Sequence, residues 1–196
     1  VKYFPEFAWN NNTKKMGRTA LILGASGLVG SALLNQLLED PQYSLLISLG
    51  RRPLSISNAK LNHQVVDFDH PKKWANWFAG VDVVFCAVGT TQKAVGGDDK
   101  LYRKVDYDIP VNAAKAAADQ GVFSFILVSA VGADVDSQQF YLKLKGVTEE
   151  SVSKQALSQV AILRPSLLLG ERKERRFGER MAQFLAPVVS PFLIGS

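Results

Sequence analysis

Residues 19–30 read TALILGASGLVG, a five-residue strand-forming run that meets glycines at Gly24, Gly27 and Gly30. A strand that ends on so many residues without a β-carbon is built to turn sharply and to let backbone approach backbone. The amphipathic stretch Leu28–Glu39 that follows reads as a helix, so the unit is strand, tight turn, helix. Outward from it, the same alternation continues along the chain. Further strands are expected at Leu45–Leu49, Gln64–Phe68, Val81–Ala87, Phe123–Ser129 and Val160–Arg164. Helices are expected at Pro71–Phe78, Lys100–Gln120, Phe140–Gln155 and Arg176–Ala186. Pro110 inside the third helical stretch predicts a kink or a restart there. Several strands are near-continuous Val, Ile and Leu, the pattern of strands covered on both faces. Alternation of this kind predicts an α/β fold: a Rossmann-like, doubly wound parallel sheet with helices on both faces, in a single domain.

Bulk properties narrow the function classes. The chain has 196 residues, 47% hydrophobic and 21% charged, enough for one domain with its own core. Residues 1–15 read as an N-terminal extension, because Met16 immediately precedes the first strand. Residues 16–196 read as the nucleotide-binding domain with a C-terminal substrate-side segment. One cysteine and two histidines exclude a disulfide framework within the chain and argue against a zinc site, so no metal is expected. A reducing compartment follows, read as the cytoplasm. No apolar run approaches the roughly 20 residues of a membrane span. The formal charge of +5 is not gathered into one block. Its densest stretch, ERKERRFGER at 171–180, alternates signs and reads as a solvated helix face or an anion contact. With no recognition motif beside it, nucleic acid is not an expected partner.

The glycines are spaced G-x-x-G-x-x-G, and the needs they meet are those of a dinucleotide site. Backbone must pass close to a pyrophosphate, and the helix starting at Leu28 must offer its free N–H groups and positive end to the phosphates. Gly24, Ser26, Gly27, Leu28, Val29 and Gly30 are therefore expected at the cofactor. The second strand ends SLGRR, with no acid to bind a ribose 2′-hydroxyl. Arg51, with Arg52 stacking or assisting, suits a 2′-phosphate and favours NADP(H) over NAD. In VVDFD, Asp67 can bond the adenine amino group while Phe68 covers the ring edge; a helix cap is the equal alternative for Asp67. Ala87, Val88, Gly89 and Thr90, after the fourth strand, are small enough to pass beside the cofactor ribose. Cys86 within that strand reads as a buried small hydrophobe.

Ser129 ends the fifth strand, and 12 residues later Tyr141 and Lys145 stand four apart on a helix, on one face. A free tyrosine ionises near pH ~10, and a neighbouring ammonium favours its phenolate. Tyr141 can then exchange a proton with a carbonyl or alcohol oxygen, Ser129 can hydrogen-bond the same oxygen, and Lys145 can hold ribose hydroxyls. The catalytic candidates are Ser129, Tyr141 and Lys145, acting on a small-molecule substrate that bears a carbonyl. Val131, Phe140, Leu168 and Phe184 point weakly to an apolar one.

The glycine loop, FCAVGTT, the serine of LVSAVGAD, FYLKLKG and RPSLLLGERKERRFGE together resemble the short-chain dehydrogenase/reductase superfamily. More narrowly, they are similar to its small atypical members related to the mammalian Tat-interacting-protein oxidoreductase. The resemblance covers residues 18–180. It implies an NADP-dependent oxidoreductase, with Pro165, Ser166 and Leu167 lining the nicotinamide and Arg172, Arg176 and Glu179 on the substrate side. It also implies pairing into a homodimer through the Lys100–Gln120 and Phe140–Gln155 helices. A second role stays open under the same resemblance: an NADPH-sensing module that binds a protein partner with little or no turnover. The asparagine that often completes the catalytic set has no match, and Asp106 or Asn112 are the candidates to stand in.

Overall fold

The computed structural model of the chain describes residues 17–165. The expected helix at Arg176–Ala186 lies outside them, as do Ser166, Leu167, Leu168, Arg172, Arg176, Glu179, Phe184 and the 1–15 extension. Within them, six strands form one sheet in the order β3-β2-β1-β4-β5-β6, and every neighbouring pair is parallel. The elements run β1 (Arg18–Leu23), α1 (Leu28–Glu39), β2 (Tyr43–Gly50), β3 (Leu61–Val65), α2 (Pro71–Trp74) and β4 (Val83–Cys86). They continue as α3 (Asp99–Arg103), α4 (Ile109–Asp119), β5 (Ser124–Val128), α5 (Phe140–Ser153) and β6 (Gln159–Leu163). The Rossmann-like doubly wound architecture is therefore the one expected.

The near-continuous apolar strands feed two cores, one on each face. Ala20, Ile22, Leu46, Val83, Phe85 and Ile126 turn towards Leu33, Leu34 and Leu37 of α1. Leu21, Leu23, Leu49, Val84, Phe125 and Leu127 turn the other way, towards Trp74, Phe78 and the alanines of α4. Alternate residues of one strand thus serve opposite layers, as the period of two requires.

Two departures from expectation matter for the site. The third strand runs Leu61–Val65, not Gln64–Phe68; its register pairs Leu46 with Leu61 and Gly50 with Val65. It is an edge strand whose three middle residues, Asn62, His63 and Gln64, are all polar, and the more apolar residues just downstream belong to the turn into α2. Asp67 and Phe68 consequently sit in a loop and not at a strand end.

The long helix expected over Lys100–Gln120 is in three parts: α3, a π-helical turn at Lys104–Asp108, and α4, which carries Pro110 in its first turn. Proline has no N–H to give the carbonyl four residues back, which is that of Asp106, and its ring crowds that carbonyl. The wider π turn relieves the crowding. Thr148 of α5 reaches that carbonyl, its one hydroxyl proton shared between Asp106 O at 3.1 Å and Leu144 O at 2.8 Å. One proline thereby fixes Asp106 against α5.

Candidate functional site

The strand order reverses direction between β1 and β4, and the crevice outside the carboxyl ends of such strands is where doubly wound sheets bind ligands. A cleft opens there, lined by Gly24–Gly27, Ser48–Arg52, Leu54, His63, Phe68, Ala87–Gly89, Val105 and Ile109. Gly24 adopts φ +85°, and a β-carbon there would come within 2.5 Å of the Ala87 carbonyl oxygen. A β-carbon on Gly30 would run into the Gly24 carbonyl, so the loop and α1 touch backbone to backbone. Helix α1 begins after Gly27 with no side-chain cap and no acidic residue in its first turn. Its N–H groups and positive end are left to an anion from outside.

Not every expected cofactor residue lines this cleft. Gly24, Ser26, Gly27, Arg51, Arg52, Phe68, Ala87, Val88 and Gly89 do. Leu28 is exposed on α1, while Val29 and Gly30 are buried in its packing. Asp67 is exposed, its carboxylate accepting the Asp69 N–H at 2.9 Å and facing His70 at 3.6 Å. It closes a turn ahead of α2, whose N-cap is His70 without a side-chain bond, so Asp67 does not take the helix-cap role that was its alternative. Phe68 keeps its place in the cleft, edge-on to Trp74 with centroids 5.6 Å apart. Cys86 is fully buried, and burial pushes its thiol up to about 11.

The chemical end joins the cleft at Gly89. A β-carbon added there would lie 3.5 Å from Asp106 Oδ1 and 4.0 Å from Lys145 Nζ. Lys145 and Asp106 form an ion pair at 2.9 Å, with side chains 7% and 1% exposed. The second oxygen of Asp106 accepts the Thr90 N–H at 2.8 Å. Burial pushes the Asp106 carboxyl above its ordinary range, and the Lys145 ammonium and the Thr90 N–H oppose that. Thr90 stands behind the cleft wall, its carbonyl accepting the Tyr102 hydroxyl at 3.1 Å. Tyr141 is partly open to solvent, its ring edge-on to Tyr102 at 6.2 Å. Lys145 Nζ lies 6.0 Å from the Tyr141 ring centroid.

Ser129 is engaged elsewhere. Its hydroxyl donates to Glu149 Oε1 at 2.5 Å, and Glu149 is clamped by Arg164 through Nε at 3.0 Å and Nη2 at 2.5 Å. Glu149 is buried one helical turn beyond Lys145, so the partners of Ser129 and Tyr141 share one face of α5. Pro165 follows at the end of β6, its carbonyl accepting the Val131 N–H at 3.2 Å. Glu149, Arg164, Tyr102 and His63 were not singled out from the sequence. The i, i+4 spacing from Lys145 is the one signal that marks Glu149; the rest depend on strand and helix neighbours far away in the chain. Of the two stand-ins considered for the missing asparagine, Asp106 is the one at Lys145, while Asn112 lines a separate groove beside α4. Among the described residues no cluster of three or more His, Cys, Asp or Glu could hold a metal, and no helix is long and apolar enough to cross a membrane.

The model of the NAD(P)H-binding family matches residues 24–184. Protein HTATIP2 of Rattus norvegicus is 36% identical over 173 residues, which cover 87% of this chain and 71% of that protein. Protein FMP52, mitochondrial, of Saccharomyces cerevisiae is 37% identical over 171 residues, 84% of this chain and 73% of its own. Among solved structures, a putative NAD-dependent epimerase/dehydratase from Bacillus halodurans superposes with TM-score 0.70 at 21% identity, covering 91% of each chain. A short chain dehydrogenase from Burkholderia cenocepacia, in complex with NADP, gives 0.67 at 17% identity, covering 88% of this chain and 84% of that one. At such identities the structures show the fold; the family rests on the sequence matches. The cytoplasmic expectation is corrected here, because fungal relatives of this similarity carry a mitochondrial location in their names. A match that spans most of the chain and falls on the elements building the cleft settles its kinship: the chain belongs to the NAD(P)H-binding family, alongside the HTATIP2 and FMP52 proteins.

Proposed function

We propose that the chain is an NADPH-dependent oxidoreductase of the short-chain dehydrogenase type, interconverting a small carbonyl compound and its alcohol with Tyr141 as the acid/base. The observation that carries this reading is the junction at Gly89, where the glycine-walled cleft ends against Lys145 and Asp106. The cleft fits a dinucleotide: backbone lines its floor where β-carbons would collide, and the uncapped start of α1 suits a pyrophosphate. Arg51 and Arg52 at its rim suit a 2′-phosphate, and Phe68 an adenine edge. Bound NADPH supplies the hydride that reduces the carbonyl carbon.

The chain's own residues handle the oxygen. Tyr141 gives its phenolic proton to the oxygen as the carbonyl is reduced, and takes one back in the reverse direction. Lys145, held by Asp106, keeps a positive charge beside the phenol and further N–H donors for ribose hydroxyls. The Ser129 hydroxyl donates to Glu149; donating to a substrate oxygen instead requires that hydroxyl to turn away. Exposed Val131, Phe140 and Tyr141 favour an apolar substrate. Tyr141→Phe is expected to lower turnover by about 10²–10⁴-fold, the usual worth of a general acid, with NADPH affinity within about twofold of the parent. Full turnover by this variant sinks the mechanism.

One observation favours a second reading, the NADPH-sensing interaction module. Both groups that would assist Tyr141 are already paired internally, Lys145 with Asp106 and Ser129 with Glu149. A protein partner retained only when NADPH is present, with no turnover on carbonyl panels, would select this reading.

A further inference from the structure

We infer that His63 is a positioning residue for cofactor choice: it pins the Arg51–Arg52 turn and so sets the preference between NADPH and NADH. The inference rests on the proposed NADP(H) site and deepens it. His63 lies on β3 directly opposite Ser48 of β2, and both line the same cleft as the two arginines. Its ring reaches past the end of β2, and its Nε2 stands 2.9 Å from the Arg52 carbonyl oxygen. A carbonyl only accepts, so Nε2 carries the hydrogen and donates.

Gly50 makes this reach feasible. A β-carbon at residue 50 would come within 3.0 Å of His63 Cε1 and 3.7 Å of Nε2. The ring therefore lies flush against the backbone just before the arginines. His63 Nδ1 and Ser48 Oγ are both buried with no hydrogen-bond partner among the described residues, a cost that an apolar ring at position 63 would avoid. The polar chemistry of the histidine is thus spent on one bond, and that bond goes to the backbone of Arg52.

Both arginine side chains are exposed, so a 2′-phosphate must order them on a loop. A turn already fixed at the Arg52 carbonyl reduces the freedom lost on binding. NADH lacks the 2′-phosphate and gains nothing from the arrangement. The effect of His63 therefore falls on NADPH alone, whereas mere support of the cleft would affect both cofactors.

The test is a fluorescence titration of the whole chain and three variants with NADPH and with NADH, each variant first checked for a cooperative melt. His63→Phe keeps the ring and removes the donor; NADPH affinity is expected to fall three- to tenfold with NADH affinity unchanged. His63→Gln places an amide N–H near the position of Nε2 and is expected to retain the parental ratio. His63→Asn, too short to reach Arg52, is expected to behave as His63→Phe and carries the comparison if the phenylalanine does not fold. An unchanged NADPH to NADH ratio in both the phenylalanine and asparagine variants overturns the inference, as does a parallel loss of both cofactors. A parent chain without NADPH preference overturns the NADP(H) reading itself and this inference with it.

Discussion

The two ends of the cleft are built on opposite terms. At the nucleotide end, the glycine loop and the start of α1 present backbone that is not capped by any side chain, shaped by what is missing from Gly24, Gly27 and Gly30. At the chemical end, Lys145 is matched to Asp106 and Ser129 to Glu149, each within a buried network. The first end is arranged for a ligand to supply the partners; the second supplies its own. A ligand can enter the first without displacing anything. At the second, the proposed chemistry would have to work through contacts that already hold the fold together, which would couple function to stability there and leave them separable at the glycine loop.

Substitutions can break that contrast, and the largest effect is expected at the ion pair. Asp106→Asn leaves the Lys145 ammonium buried without its counter-charge and is expected to cost about 3–5 kcal/mol of stability. Chemical denaturation measures it, and adding Lys145→Met should recover much of the loss. Next comes Gly24→Ala, which forces a side chain into a left-handed turn and against the Ala87 carbonyl. A cost of about 2–4 kcal/mol is expected, together with loss of NADPH binding in the fraction that remains folded. Smallest is Ser129→Ala: Glu149 keeps both bonds from Arg164, so removal of the hydroxyl is expected to cost about 1–2 kcal/mol. NADPH affinity should stay within about twofold, measured by titration. A Ser129→Ala chain as stable as the parent but unable to bind NADPH would reverse the contrast.

The same contrast explains what was legible in the sequence. The nucleotide end is written in local chemistry: a strand, three glycines and the start of a helix within a dozen residues, with Arg51 and Arg52 at the close of β2. Backbone geometry imposes those residue types, so the types reveal the geometry. The chemical end was legible only as far as Ser129, Tyr141 and Lys145. Their partners depend on events elsewhere: Pro110 opening a π turn that lodges Asp106 beside Lys145, and Arg164 on β6 fixing Glu149. Asp106 was one of two candidates, and nothing local separated it from Asn112. The third strand was misplaced because Val66 and Phe68 look more strand-like than Leu61–Gln64, whose pairing with β2 is what makes them a strand. That shift hid His63, which becomes a site residue only through its register opposite Ser48.

The most direct test of the central claim is a fluorescence titration of the purified chain with NADPH and then NADH. Tight NADPH binding is expected, with NADH at least roughly tenfold weaker, a gap of about 1.4 kcal/mol. Binding of neither cofactor would contradict the reading of the glycine cleft as a dinucleotide site, and with it both the enzyme and the sensor.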